Sequence, residues 1–200
     1  KKGTHFDLAI ALQIALFEEK NIDFEDTYFF GELALDGNIK DTSSIFPIVL
    51  SLVKQGLLKK VLVCIESAEK LSNIHNLEIY RVKNLEEAIL FAKSKNKENF
   101  LYEKKIFEYK SLVINNETFY YEIKYKNDFS DVIGQDMAKY AAMISAAGNH
   151  NVIFEGSPGC GKSMISKRLQ YIMPPMDLEE ILEKAKLQAL DFKDVDFSPI

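Results

Sequence analysis

The segment GSPGCGKS, Gly156 to Ser163, constrains the fold of this chain more than any other stretch. It follows the apolar residues Val152 to Phe154 and precedes a helical pattern from Lys162 onward. Strand, glycine-rich turn and helix thus come in the order that a phosphate-binding loop requires. Gly156, Gly159 and Gly161 let the backbone curl without Cβ clashes, so that successive N–H groups turn inward towards an anion, backed by the positive end of the helix dipole. Ser157, Pro158, Cys160 and Met164 complete the wall of such a loop. Lys162 is the candidate catalytic residue, its ammonium suited to the β and γ phosphates, and Ser163 offers a hydroxyl to Mg²⁺. The implied cofactors are ATP and Mg²⁺. Cys160 is either an ordinary small side chain or a thiol whose thiolate the helix N-terminus favours.

The rest of the composition is that of a folded chain, with 47% hydrophobic and 28% charged residues. No apolar run approaches the length of a membrane span and no leader precedes the first helical pattern, so the expected location is cytoplasmic, with no membrane partner. The two cysteines, Cys64 and Cys160, lack paired spacing, which argues against a disulfide scaffold or a zinc site. A net charge of −5 gives no general attraction for nucleic acid, so any such contact must come from a local patch or from assembled copies.

Along the chain, helical and strand patterns alternate, which predicts an α/β fold. A core-facing helix is expected over Phe6–Glu19, then a hairpin around Asp36-Gly37. A helix over Ile45–Gln55 should end at a left-handed Gly56, followed by a buried strand in KKVLVCI and another over Leu77–Val82. Asn84 and Glu87 form a capping-box pair ahead of a helix that stacks Leu85, Ala88, Ile89 and Ala92.

From Lys93 to Lys126 eight lysines stand against five glutamates. Within that stretch IFEYKSLVI and FYYEIKY flank Asn115-Asn116, a predicted hairpin. It reads either as a solvated connector or as a basic, aromatic surface for single-stranded nucleic acid. Three segments result: an accessory domain over 1–92, a connector over 93–127 and a nucleotide domain from 128 to 200. Hydrolysis in such a domain needs a metal-holding carboxylate at the end of a later strand, a water-orienting residue and a neighbour's arginine. None is recognisable after Ser163, where a charged helix from about Asp177 leads into an acidic tail. The chain is therefore expected to stop inside its nucleotide domain, and to bind nucleotide without turning it over.

Three further features, D-V-I-G-Q at Asp131 to Gln135, A-A-G-x-H-N at Ala146 to Asn151 and the pair Pro174-Pro175, resemble the start of the AAA+ module in magnesium-chelatase-like ATPases. The upstream KKGTHFDLAIAL and GELALDGNI resemble the domain that precedes this module in the ComM (YifB) branch of that family. The resemblance covers residues 1–92 and 128–176. It implies an S5-type, Lon-protease-like α/β half-domain followed by the N-terminal part of a P-loop AAA+ α/β domain. It further implies a hexamer of like subunits and a helicase that migrates DNA branches during natural transformation. Metal insertion by a chelatase-type subunit and a Lon-like interaction module are the alternatives. Val132, Ile133 and Gly134 match the family's adenine-pocket segment; the same residues also suit a helix-entry turn, with Ser130 or Asp136 capping the helix over Met137–Ala147.

In Lon-like proteases the segment resembling KKGTHFDL carries a serine nucleophile, and the helix resembling SSIFPIVLSLVKQG carries the lysine that activates it. Here His5, beside Thr4, stands at the serine position, and Phe46 and Ile48 stand where lysines would be. No amine remains to take a proton from a hydroxyl, so the upstream domain is expected to be non-proteolytic and His5 a hydrogen-bonded structural residue.

Overall fold

A computed structural model describes residues 3–19, 22, 24, 26–103, 109–122 and 126–199. Contacts gather the chain into two compact units, Lys1–Phe107 with Leu182–Asp196, and Glu108–Ile181 with Phe197–Ile200.

The first unit is built on a parallel sheet. β1 (Thr27–Phe29), β4 (Lys60–Val63) and β5 (Glu78–Arg81) lie in the order β1-β4-β5, with Tyr28 opposite Val61 and Val61 opposite Ile79. A strand between two parallel neighbours is covered on both faces, so a continuous apolar run is what its position demands. Val61, Leu62 and Val63 are all fully buried. Leu62 and Tyr80 share a core with Leu8 and Leu12 of α1 (Asp7–Ala15) and with Ala88, Phe91 and Ala92 of α4 (Leu85–Lys93). Because side chains alternate along a strand, Val61, Val63 and Ile79 point to the opposite face. α2 (Ile45–Lys54) and α3 (Ile65–Leu71), which pack on each other, supply the remaining helices before α4.

Local chemistry sets the boundaries of these elements. Gly56 adopts φ 71°, its N–H bonds the Val53 carbonyl at 2.9 Å, and the Leu57 N–H bonds that of Leu52 at 3.0 Å; a left-handed residue with these two bonds closes α2. The hairpin β2 (Glu32–Leu33) and β3 (Ile39–Lys40) turns through Gly37 at φ 84°. Asn84 caps α4 by accepting the Glu87 N–H at 2.9 Å. The Glu87 carboxylate reaches the N–H of Lys83, at 2.8 Å, not that of Asn84, so the expected box is shifted by one residue. α3 departs from the sequence pattern, since VLVCI reads as continuous strand; the extended Cys64 ends that strand and opens the helix.

Phe91 is the hub of the α4 face. It is fully buried, and its ring lies 4.9 Å from Tyr80, 5.5 Å from Phe100 at right angles, and 4.9 Å below the Lys97 ammonium. On the other side Asp41, just after β3, accepts from Ser67 Oγ and from Lys70 Nζ at 2.6 Å, joining the hairpin to α3. Cys64 Sγ lies 3.3 Å from the same Ser67 hydroxyl. Loss of hydration on burial pushes the Cys64 thiol up to about 11.

In the second unit, β6 (Lys110–Ile114) and β7 (Glu117–Tyr121) form the expected hairpin through Asn115 at φ 51° and Asn116 at φ 67°, two successive left-handed residues as a type I′ turn requires. Residues 106–108 and 123–125 of the predicted strands, with Lys104, Lys105 and Lys124, lie outside the described residues, as do Lys1 and Lys2. The two-residue β8 (Met176–Asp177) adds to β7, with Met176 opposite Tyr120. Phe119, Tyr120 and Tyr121 are half-buried, which withdraws much of their ring surface from any stacking role. Helices α5 (Asp136–Gly148) and α6 (Lys162–Leu169) follow the hairpin in sequence; of α7 (Leu178–Leu190), only Leu178–Ile181 counts with this unit and the rest with the first. Among the described residues no helix is long and apolar enough to cross a membrane.

Two outcomes check this core. Truncating Phe91 to Ala should lower stability by about 3–5 kcal/mol in urea unfolding, since a filled aromatic site is left as a cavity. Iodoacetamide at neutral pH should modify Cys160 and spare Cys64, where about one thiol in ten thousand is ionised, until denaturant opens the first unit.

Candidate functional site: the glycine-rich loop and its frame

The loop before α6 is shaped by its glycines. Gly159 and Gly161 adopt φ 82° and 89°, conformations that an L side chain resists, and open space surrounds the Cβ position of each. A Cβ on Gly156 would stand 3.1 Å from Cys160 Sγ. Among the described residues the N–H groups of Gly159, Gly161, Lys162 and Ser163 have no hydrogen-bond acceptor, while that of Cys160 bonds the Ser157 carbonyl at 3.4 Å. Free amides at a left-handed turn, entering the N-terminus of a helix, form an anion cradle.

Lys162 is folded back across this loop. Its ammonium donates to the carbonyls of Gly156 and Ser157, both at 2.7 Å, and lies 3.5 Å from Cys160 Sγ. Ser163 and Met164, in the first turn of α6, are exposed, as are Ser157 and Pro158. Ile165 points the other way and is buried with Val132 and Ala142. The helix thus offers its loop-side residues to solvent because its apolar residue holds the opposite face.

The apolar strand expected over Val152–Phe154 does not form. Phe154 packs on the Val132, Ala142 and Ile165 cluster and Ile153 is 93% exposed, an alternation proper to an extended chain. An extended segment becomes a strand only with a ladder partner, and the described strands offer it none.

The segment expected to receive a base enters through a 3-10 turn at Phe129–Asp131. Asp128 accepts the Ser130 N–H at 2.7 Å, and Asp131 accepts the Asp128 N–H at 3.0 Å, which closes the turn reciprocally. Val132 and Ile133 then part company. Val132 is buried in the core, whereas Ile133 is 96% exposed beside Gly134 at φ 68°. Of the apolar pair, only Ile133 is free to meet a flat ring.

Neither Ser130 nor Asp136 caps α5. Its cap position is Gln135, left-handed at φ 57°; Ser130 is engaged in the turn, and Asp136 pairs with Lys139 at 3.4 Å. The left-handed cap frees the Gln135 side chain, whose amide bonds the Cys160 carbonyl in the loop at 3.3 Å. Lys139 Nζ holds the Val132 carbonyl at 2.9 Å. Arg168 of α6 donates to the Asp128 carbonyl at 2.8 Å and to the Asp131 carboxylate at 3.1 Å. Sequence alone marks Gln135 only as the end of D-V-I-G-Q, and Lys139 and Arg168, on predicted helices, read as ordinary surface.

At the Lon-like position the first unit has no amine. Phe46 is buried and Ile48 half-buried, both on α2. His5 Nδ1 is buried without a hydrogen-bond partner, so His5 is not the bonded structural residue the sequence suggested; its ring packs on Phe6 at 4.1 Å.

A family model described as magnesium chelatase, subunit ChlI, matches residues 128–198, and one described as subunit ChlI of Mg-chelatase matches residues 1–67. The chain is 28% identical to the competence protein ComM of Haemophilus influenzae over 98% of its own length, and 29% identical to the uncharacterized protein YifB of Escherichia coli over 95%. It belongs to the magnesium-chelatase-like family, of the ComM and YifB type. Membership makes it an AAA+ ATPase family member. The chain spans 35–37% of the length of these relatives. A shorter match, 45% identical over 51 residues, covers 26% of this chain and 8% of the archaeal Lon protease of Archaeoglobus fulgidus. The match over 1–67 also carries the chelatase-subunit description, so this stretch alone does not separate the two branches.

Acid should test the frame around Asp131. Its carboxyl is held below the ordinary 3.8, first by the Asp128 N–H and then by Arg168. A depressed acid stabilises the fold above its ordinary pKa and ceases to as pH falls through the lower folded value. Amide-resolved titration should therefore find the 128–131 turn intact above pH 3.8 and opening only below it.

Proposed function

We propose that this chain is the nucleotide-binding portion of an ATP-driven AAA+ ring that works on DNA. The observation that carries the nucleotide reading is the cradle itself: acceptor-less amides at Gly159, Gly161, Lys162 and Ser163, with an ammonium folded over the same loop. The amides and Lys162 would hold the β and γ phosphates, and the Ser163 hydroxyl would be a Mg²⁺ ligand. When bound, the metal supplies charge neutralisation across those phosphates. Ile133 and Gly134 would border the adenine. Cys160 and Gly156 shape the loop wall by their close approach.

Action on DNA is supported by an alignment with a competence protein that runs through nearly the whole chain. With a net charge of −5, the DNA contact belongs to an assembled hexameric ring of like subunits in the cytoplasm rather than to the single chain. A second reading, metal insertion by a chelatase-type subunit, is favoured by the descriptions of both matching family models. We read the first unit as non-proteolytic, because Phe46 and Ile48 supply no base for a nucleophile.

Calorimetry on the 200-residue chain should detect ATP with Mg²⁺, and Lys162→Ala should weaken it by about tenfold or more, the loss of a charged hydrogen-bonding partner. No heat in the wild type would overturn the nucleotide reading. Turnover by this chain should not exceed that of Lys162→Ala. In the protein at its relatives' full length, turnover stimulated by branched DNA supports the first reading, and porphyrin-dependent turnover the second.

A further inference from the structure

We propose that Arg168 is a positioning residue that fixes the base-contacting segment 132–134 against the phosphate loop; the inference rests on the nucleotide reading above. Arg168 lies on α6, the helix whose first turn carries Lys162 and Ser163. Six residues of helical rise place it about 9 Å along the axis from the loop. From there its guanidinium leaves its own helix for a segment forty residues earlier in sequence, taking the Asp128 carbonyl at 2.8 Å and the Asp131 carboxylate at 3.1 Å. A third bond, to the Met164 carbonyl at 3.3 Å, locks the side chain onto α6.

Solvent screening acts on this arrangement chiefly at Asp131, whose side chain is 48% exposed. The Arg168 side chain is only 12% exposed, and a planar fork shared between a carbonyl and a carboxylate fixes direction as well as distance. Asp131 directly precedes Val132 to Gly134, and its carboxylate also accepts the Asp128 N–H at 3.0 Å, so holding it holds the turn that leads into that segment. Gln135, at the segment's other end, bonds the Cys160 carbonyl inside the loop at 3.3 Å. The segment is thereby tied at both ends to the loop–helix element, once near the phosphates and once a helical turn and a half away.

Such a frame acts on a ligand that touches both ends. A nucleotide would contact the loop through its phosphates and Ile133-Gly134 through its base, so its affinity depends on how far the two contacts are set beforehand. An inorganic polyphosphate touches only the loop and is indifferent to the frame. The geometry therefore assigns Arg168 to the base contribution of binding and not to the phosphate contribution.

The test compares ADP and inorganic tripolyphosphate, each with Mg²⁺, by calorimetry on the wild-type chain, Arg168→Gln, Arg168→Lys and Asp131→Asn. Arg168→Gln should lose about tenfold in ADP affinity and hold tripolyphosphate within about twofold, the scale of one charged hydrogen-bonding group. Arg168→Lys, which keeps the charge without the fork, should recover part of the loss. Asp131→Asn, which leaves the backbone bond in place, should show the same selectivity in weaker form and serves where Arg168→Gln does not fold. Equal losses for both ligands would reduce Arg168 to general packing of α6, and no loss for either would remove its role; each overturns the proposal. A wild-type chain that binds tripolyphosphate and ADP equally tightly overturns it too, with the loop intact, whereas one that binds neither overturns the nucleotide reading itself.

Discussion

A polypeptide that holds an anion by its own amides must turn several N–H groups to one side, and left-handed turns just before a helix N-terminus do this. Gly159 and Gly161 supply those two turns, and the first residues of α6 extend the row of amides beyond them. This constraint divides α6 into two faces. Ile165 must be buried to hold the helix down, and Lys162, Ser163 and Met164 are left on the loop side. Were Ile165 polar, the glycines would still turn, but the amides would have no fixed helix to continue into.

The second unit therefore depends on a small core. Val132, Ala142 and Ile165 are its buried members, with Phe129, Ala138, Phe154, Leu169 and Ile172 around them. That core touches the loop's approach through Phe154, the base segment through Val132 and the loop's helix through Ile165. One cluster thus anchors all three parts of the candidate site. It offers little apolar area, which makes directional polar ties such as those of Arg168, Lys139 and Gln135 correspondingly more important in fixing orientation. The first unit is arranged on the opposite principle. There the buried β4 and the Phe91 cluster provide a continuous apolar interior, and polar ties such as Asp41 with Lys70 join its periphery.

Local rules decide which features of the fold are legible in the sequence. Gly56, the Asn84 cap and the Asn115-Asn116 turn each satisfy a backbone requirement within a few residues, so their neighbours in the chain suffice to identify them. Val152 to Phe154 shows the other case: the residues favour a strand, but a strand is a relation between two segments, and the described chain provides no partner. β8 is invisible for the converse reason, since Met176-Asp177 has no period of its own and is a strand only because Tyr120 lies opposite. The shift of Glu87 from Asn84 to Lys83, and the left-handed Gln135 in place of a side-chain cap, are single-residue choices that spacing does not resolve. Arg168 belongs with these, because its partner lies forty residues away and nothing nearby marks it.

The first unit raises a different question, of what occupies the positions that resemble those of a Lon-type site. A nucleophile and its base impose polar groups on a site, and burying polar groups without partners is unfavourable. Phe46, at 2% exposure, is a core residue at the point where the Lon-like resemblance would put the base. Its burial helps to hold α2, whose Val49 and Leu50 are equally enclosed, so the helix presents apolar interior at this point. His5 stands at the other end of that resemblance. It retains a buried Nδ1 without a partner, while its backbone carbonyl is engaged by Gly31 at 2.9 Å. The backbone of that turn is thus held by the neighbouring Gly31, independent of what the side chain does.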